Sequence, residues 1–548
     1  MNKPPQALVD ARTLLEEGNL AAAILTAKNI LASNAEEAGA LHLLGLAANT
    51  AGKPQEAVAY YGRALLSAPS DAAVHTDLAA AYLTLGAAGN AEAHARRATF
   101  LDPGFGTAHY NLGNALFALG DATGAADSFA AAIETEPEND LYWSNHLFSL
   151  NFSAEATPAE ISKRNRAWGA MVEAGSGDIG ARPVAGPGAP LTLAYYLPEL
   201  DTHVTPRFLE PVLHAHDKDS FRVCVFGSQS GGGRPEFVPE DCDWVDVGGQ
   251  PDEEVAAGMR AACVHILIHP CTFKARYRRL LACRPAPVQI AAINLVSSTG
   301  LKAVDYLLTT EYLDPSGTTE QFYTEELIRL PSFNTYRILE TAPPIGPLPA
   351  AANGCVTFGS LNNPAKLSPG AIAVWSRILR RLPGSRLLLK HRALDDIEVA
   401  NRFVTCFKDA GIGEERIELD GFTPSGGSYL ATYSRIDMAL DPFPFGGGTT
   451  SYEALWMGVP VLALAGETFM GRLTAALMGQ LGLDDWVASD TDGYMEAALT
   501  LAADLQALAD LRANLRERAR TSIFDAAAFT RSLEDAGREA WRRHQENS

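Results

Sequence analysis

Three glycines and two threonines stand together in the stretch DPFPFGGGTTSYEALWMG, Asp441 to Gly458. An apolar, strand-like run precedes them and a helix-like run follows. Without side chains, Gly446, Gly447 and Gly448 leave room for a ligand against the backbone and accept positive φ at no steric cost. Thr449 and Thr450 then open the helix, whose first N–H groups have no intrahelical partner and carry the positive end of the helix dipole. Backbone donors, hydroxyls and a dipole converging on one point suit an anion, and a phosphate above all. A flexible connector accounts for the glycines alone equally well, so the elements that must position the stretch decide between the two readings.

Those elements belong to a chain of 548 residues, 47% hydrophobic, with a formal net charge of -21. That length exceeds a single core and predicts two to four domains. The acidic balance argues against nucleic acid as a partner, and no run of the sequence is long and apolar enough to cross a bilayer. The first residues lack the apolar core and small-residue cleavage site of a secretory signal, which predicts a cytoplasmic protein without membrane attachment. Seven cysteines are scattered and never spaced as Cys-x-x-Cys, so neither a disulfide framework nor a metal site is expected.

The first third is periodic. Gly18, Gly52, Gly86 and Gly120 are each 34 residues apart, as are Ala23, Ala57, Ala91 and Ala125, and Pro69, Pro103 and Pro137 keep the same spacing. Gly45, Ala79 and Gly113 form a further series. Such a period resembles tetratricopeptide repeats, with two helices per unit, a small residue where they cross and a glycine at the turn. A solenoid of this kind presents a concave face to an extended peptide or another protein. Asp77, Asn111 and Asn145 also fall 34 residues apart and would stack in a row on one face; likeness to repeat proteins in which such a row holds an acceptor's backbone makes them the candidate acceptor-binding residues, and solvation of a groove is the competing reading.

After Asn151 the period fades, and a helical segment followed by the glycine- and proline-rich SGDIGARPVAGPGAP marks a boundary. Beyond it β-prone runs alternate with helical patterns: LTLAYYL, FRVCVFG, VHILIHP and VQIAAIN, then CVTFGS, SRLLLKH, RIELDGF, IDMALD and VPVLALA. The alternation predicts doubly wound parallel sheets, split into two sets by the proline-rich Thr341 to Gly354. The expected fold is an α-solenoid followed by two Rossmann-like α/β lobes in the arrangement called GT-B. Its divisions are repeats over 1–150, a helical linker over 151–190, a first lobe over 191–345, and over 346–548 a second, nucleotide-sugar-binding lobe with the C-terminal helices.

RPAPVQI (Arg284 to Ile290), TGLKAVDYLLT (Thr299 to Thr309), FGSLNNPAKLSP (Phe358 to Pro369) and the long stretch Ala439 to Thr468 carry a specific likeness. Together with the repeats they resemble the O-GlcNAc transferase and SPINDLY family, in a divergent, bacterial-type form. The resemblance implies a protein O-glycosyltransferase that moves a sugar from a nucleotide-sugar, by default UDP-GlcNAc, to Ser or Thr of a protein held by the repeats. It further implies inversion at the sugar carbon, with no metal and no cofactor. On the matching positions, Lys366 is the lysine that binds the diphosphate and steadies the leaving group. Thr449 and Thr450 hold phosphate oxygens, Asn363 reaches the phosphates, and Glu453 meets the ribose. His203 matches the first-lobe histidine near the reacting hydroxyl.

Departures cluster at the sugar and base end. The segment before Thr-x-Gly reads NLVSSTG, Gly448 stands where relatives have a histidine, Tyr429 lies near a second lost histidine, and HPCTFKAR replaces a first-lobe Gly-aromatic-Thr. The basic run Lys274, Arg276, Arg278, Arg279 and Arg284 offers charge for an anionic sugar or, more simply, a solvated helix face. Two alternatives follow: a flagellin glycosyltransferase that uses a CMP-nonulosonic acid, and a repeat scaffold without activity.

Overall fold

The computed structural model describes residues 6–176, 190–200, 204–270, 273–293, 296–338, 340–423 and 427–547. The chain divides into two compact units, Met1–Ser153 and Ala154–Ser548.

In the first unit helices pair along the 34-residue period. Gly18, Gly52, Gly86 and Gly120 all take positive φ, between 71° and 79°, in the turn joining the two helices of a pair. At the crossings a side chain has no room: a Cβ on Gly45 would lie 2.3 Å from the Tyr61 ring, and one on Gly113 2.6 Å from Phe129. A further periodic device was not read from the sequence. His75, His109 and Trp143 each donate a ring N–H to the carbonyl of the proline six residues earlier, Pro69, Pro103 and Pro137. Each bond satisfies a carbonyl just past a helix end, where the chain has no helical donor left.

The second unit carries two all-parallel sheets. The first holds β1 (Leu191–Leu197), β2 (Phe221–Gly227), β3 (Asp243–Asp246), β4 (Ile266–His269), β5 (Val288–Ala291), β6 (Tyr306–Thr309) and β7 (Glu326–Arg329), in the order β3-β2-β1-β4-β5-β6-β7. The second holds β8 (Thr357–Ser360), β9 (Arg386–Lys390), β10 (Ile417–Asp420), β11 (Met438–Leu440), β12 (Val461–Leu464) and β13 (Val487–Ala488), in the order β10-β9-β8-β11-β12-β13. The nine apolar runs of the sequence give β1, β2, β4, β5 and β8 to β12. β3, β6, β7 and β13 lie outside them; β3 and β7 are edge strands and carry the exposed charges an edge tolerates.

The helix expected to act as a linker, Pro158–Ala174, is instead packed into the first lobe. Its Gly169 lies backbone to backbone against Gly300, so close that a Cβ would fall 2.1 Å from the Gly300 carbonyl oxygen. Arg278, buried, ties the contact by donating to Asn165 Oδ1 at 2.8 Å and stacking 4.2 Å from the Trp168 ring. The last helix, Ala526–Asn547, likewise returns to the first lobe. Its buried Glu534 accepts from His216 Nδ1 at 2.8 Å and from the Asp217 N–H at 2.9 Å, and Trp541 packs edge-on against His265. Tertiary packing, not position in the chain, assigns both helices.

Candidate functional site

Each sheet reverses its strand order once, between β1 and β4 in the first lobe and between β8 and β11 in the second. Loops leaving two such strands diverge and open a crevice at the carboxyl edge of the sheet, where α/β proteins bind ligands. The residues singled out in the second lobe meet at that point. The loop after β8 runs from Leu361 to Ser368, and the loop after β11 runs from Asp441 into the helix Thr449–Trp456.

Three side chains stitch these loops together. Lys366 Nζ donates to the Gly446 carbonyl at 2.7 Å and sits 4.1 Å from the centre of the Phe445 ring. Ser368 Oγ donates to the Phe443 carbonyl at 2.6 Å, and Thr450 Oγ1 donates to Asn362 Oδ1 at 2.9 Å. Thr449 opens the helix half-buried, preceded by Gly448, which offers no capping side chain. The first N–H groups of the helix are thus left for another acceptor.

Asn363 is placed differently from expectation. It is exposed, and its Oδ1 caps the short turn Pro364–Lys366 by accepting from Ala365 N–H at 3.0 Å. The amide that reaches the helix start is its neighbour Asn362. The glycines also act for another reason than the one expected: Gly446, Gly447 and Gly448 are not among the positive-φ glycines, and Gly448 has φ -128°. A Cβ on Gly447 would meet Ser451 Oγ at 2.1 Å and Asp441 Oδ1 at 2.7 Å, and one on Gly446 would meet Asp441 Oδ2 at 2.8 Å. Two of the three are therefore required by the protein's own packing. Only at Gly448 would a Cβ find open space.

Asp441 itself was missed by the sequence reading, although it opens the quoted stretch. It is 3% exposed and accepts the Gly447 N–H at 2.7 Å. Burial pushes its carboxyl above the usual carboxylate range, opposed by the Gly447 N–H, the charge of Lys366 and the Thr474 hydroxyl. Burial pushes the Lys366 ammonium below its ordinary value, opposed by the charge of Asp441.

Glu453, one turn into the same helix, faces protein groups. Its carboxylate is 3% exposed and accepts from Arg207 at 2.7 Å and Tyr336 Oη at 3.3 Å, so a first-lobe arginine is paired with the second-lobe helix. Burial raises its carboxyl, and Arg207, Tyr336 and Tyr429 draw it back down. Arg207 and Tyr336 gave no signal in the sequence, since neither stands in a motif or a period.

His203 lies outside the described residues. The basic run is largely absorbed by the fold: Lys274 pairs with Glu199, Arg276 donates to the Val247 carbonyl, and Arg284 reaches Ala303, Pro287 and Asp305. In the repeats Asp77 accepts from His42 at 2.6 Å, Asn111 donates to the Thr76 carbonyl, and Asn145 donates to Tyr110 Oη and Asn114 Oδ1. The row thus makes hydrogen bonds between successive repeats; Asn111 is 6% exposed, and Asp77 and Asn145 are half-buried. Among the described residues no cluster of His, Cys, Asp or Glu is placed to hold a metal ion, and no helix is long and apolar enough to cross a membrane.

A helical-repeat unit joined to two doubly wound lobes, with a phosphate-suited turn at the second switch point, defines the architecture of a two-lobed glycosyltransferase with tetratricopeptide repeats. The models of known families agree. "Glycosyl transferase family 41" matches residues 347–533, and a tetratricopeptide repeat model matches 8–72, 50–104 and 76–140. The solved structure of a mutant Thermobaculum terrenum O-GlcNAc transferase is 33% identical with a TM-score of 0.78, covering 94% of this chain and 99% of that one. The protein named probable UDP-N-acetylglucosamine–peptide N-acetylglucosaminyltransferase SPINDLY is 33% identical in Solanum lycopersicum over 426 residues, 75% of this chain and 45% of that protein. Its Arabidopsis thaliana counterpart is 32% identical over 419 residues, 75% of this chain and 46% of its own length. The chain spans about half the length of the curated relatives it matches. It belongs to the O-GlcNAc transferase and SPINDLY family.

Proposed function

We propose that this protein is a cytoplasmic protein O-glycosyltransferase that transfers a sugar from a nucleotide-sugar to a Ser or Thr hydroxyl of a protein docked by the repeats. The observation that carries the reading is the anchoring of Lys366 on the Gly446 carbonyl, in the turn that leads to the uncapped helix start at Thr449 and Thr450, at the switch point between β8 and β11. A cation and free N–H groups aimed at one crevice stabilise the charge that develops on a departing nucleoside phosphate. Lys366, Thr449, Thr450 and the Gly446–Gly448 turn hold the phosphates. Glu453 serves the ribose end of the same helix, with Arg207 fixing its carboxylate, and Asn363 shapes the turn that presents Lys366. The acceptor hydroxyl attacks the anomeric carbon from the side opposite the leaving phosphate, so the product is inverted, and His203 orients that hydroxyl. Charge neutralisation by Lys366 and the helix takes the place a metal ion holds in other transferases. Asp77, Asn111 and Asn145 act as the ladder that keeps the repeats stacked for docking.

UDP-GlcNAc is the donor suggested by the relatives' names. A second reading, a CMP-nonulosonic acid carried to flagellin, is favoured by one observation: the space beside Gly448 is open, which leaves room for a bulkier sugar. Thermal stabilisation by UDP, GDP and CMP decides between them. A true ligand at a hundredfold excess over its Kd adds about 2.7 kcal/mol. Stabilisation by UDP supports the first reading and stabilisation by CMP alone the second; no response to any of the three supports the inactive scaffold. Removing Met1–Ser153 tests the repeats: nucleotide binding is expected to persist and glycosylation of the protein acceptor to vanish.

A further inference from the structure

We propose that Arg207 is a donor-contacting residue supplied by the first lobe: Glu453 holds one end of its guanidinium, and the free side edge, Nε and Nη2, takes a pair of anionic oxygens of the donor. The proposal rests on the donor-site reading above, in which Arg207 only steadies Glu453, and adds a ligand contact to it. Its ground is the geometry of the pair. Arg207 lies in the first turn of the helix Thr205–Ala215, which follows β1 at the first-lobe switch point. Glu453 lies one turn into the helix Thr449–Trp456, which follows β11 at the second. The ion pair therefore joins the carboxyl edges of the two sheets, the side on which both crevices open. Glu453 also stands only one turn beyond Thr449, about 6 Å along the helix axis from the start that receives the phosphates.

The exposed partner of the pair is the arginine. The Glu453 side chain is 4% exposed, and its Oε1 accepts from Arg207 Nη1 at 2.7 Å and from Tyr336 Oη at 3.3 Å. The Arg207 side chain is 27% exposed. Its Nη1 is used twice, toward Glu453 and, at 2.9 Å, toward Tyr336 Oη. Nε and Nη2 donate to nothing among the described residues and are open to solvent. A guanidinium is planar, so fixing Nη1 leaves the Nε and Nη2 N–H groups parallel on the other edge, the fork that matches a carboxylate or a phosphate. The backbone that carries it is fixed as well. The Arg207 carbonyl accepts from the Arg337 N–H at 2.7 Å, and the next residue, Phe208, packs edge-on against Tyr336 at 5.1 Å and Tyr452 at 5.6 Å. The fork is thus in place before the donor arrives. Two parts of a donor carry such an oxygen pair: a phosphate of the nucleotide and, in an acidic sugar, its carboxylate.

Arg207→Lys keeps a cation beside Glu453 but gives up the fork. Calorimetric titration of the full-length protein with UDP, CMP and CMP-N-acetylneuraminate measures the loss, and the melting temperature without ligand checks the fold. Arg207→Lys is expected to melt as the wild type does and to bind about tenfold more weakly, the loss of one charge-assisted hydrogen bond. A loss already present with the bare nucleotide assigns the fork to phosphate; a loss with CMP-N-acetylneuraminate alone assigns it to the sugar carboxylate. Wild-type affinity of Arg207→Lys for every ligand that binds overturns the proposal, since a strut that only pairs with Glu453 is served by lysine. A second measurement needs no variant. Phenylglyoxal labels accessible guanidinium groups, and peptide mass spectrometry of the wild type is expected to show Arg207 modified in the free protein and protected by the bound ligand. Labelling of Arg207 that a bound ligand leaves unchanged overturns the proposal even if Arg207→Lys does not fold. Failure of the donor-site reading looks different: Lys366→Met then binds nucleotide as the wild type does, whatever Arg207 shows. A wild type that binds none of the three ligands sinks that reading and the proposal with it.

Discussion

The two lobes share one topology, with strands in the same order about a switch point, yet the two points are furnished differently. In the second lobe the crevice holds an anchored cation, a buried carboxylate and an uncapped helix start. At the end of β4 the first lobe presents His269, fully buried, whose Nδ1 faces the Pro270 carbonyl at 3.4 Å and whose Nε2 has no partner among the described residues. Burial lowers this imidazole to about 4, with the charge of Arg278 adding to the effect. Identical strand order thus fixes where a crevice opens, while the loop residues decide whether it attracts an anion. The proposed phosphate site lies in the second lobe, and the first lobe offers a neutral wall.

The largest way to break this contrast is Lys366→Ala. Turnover is expected to fall roughly 10²–10³-fold, about 3 to 4 kcal/mol, as when one oxyanion donor is lost, with acceptor affinity nearly unchanged. Steady-state kinetics with the stabilising nucleotide-sugar measure it, and wild-type turnover would refute the contrast.

The neutral wall predicts a pH effect on stability. Above the ordinary histidine value of about 6.5, His269 is neutral in both folded and unfolded chains and contributes nothing. As pH falls from there toward about 4, the unfolded chain binds a proton that the folded one refuses, so stability is lost progressively. At most about 3 kcal/mol is involved by this linkage. His269→Leu is expected to flatten part of the decline in Tm between pH 7 and 5 relative to wild type; parallel curves would show that His269 is not excluded from charging.

The glycine turn sharpens the comparison from the other side. Gly447→Ala forces a Cβ against Ser451 and Asp441, which is expected to cost roughly 1–3 kcal/mol of stability as overpacking does. Gly448→Ala meets nothing and is expected to leave Tm unchanged. Differential scanning calorimetry of the two variants separates them, and equal melting points would contradict the packing. The smallest effect belongs to Thr450→Val, which deletes the hydrogen bond to Asn362. A loss of about 1 kcal/mol in nucleotide affinity is expected by calorimetric titration, with the fold retained.

The candidate site was legible in part. Gly446, Gly447, Gly448, Thr449 and Thr450 drew notice because a bare turn before a helix is a local pattern, and Lys366 because it matches a lysine of the family that the chain resembles. The reason for two of the glycines was not legible: sequence suggests space for a ligand, and at Gly446 and Gly447 the structure shows Asp441 filling it, while Gly448 faces open space. Asn362 and Asn363 are adjacent, and only the direction of the chain after β8 decides which one faces the helix. Arg207 and Glu453 are 246 residues apart, a pairing that no local pattern can signal.

What the sequence determined by itself was everything written in short periods: the 34-residue repeat with its turn glycines, the nine apolar strands, and the alternation that makes their sheets parallel. These depend on neighbours within a turn or a strand, so their energetics are encoded where they act. Tertiary structure alone decided that the Pro158–Ala174 helix docks through Gly169 and Gly300, that the last helix returns to the first lobe through Glu534, and that Asp77, Asn111 and Asn145 bond between repeats. It alone decided that Asp441 is buried beneath the glycine turn and that Lys366 is anchored on the Gly446 carbonyl of that turn. Each of these is a contact between distant segments, set by which surfaces exclude water together, and a buried charge or a missing Cβ acquires its meaning only from the atom that packing brings against it.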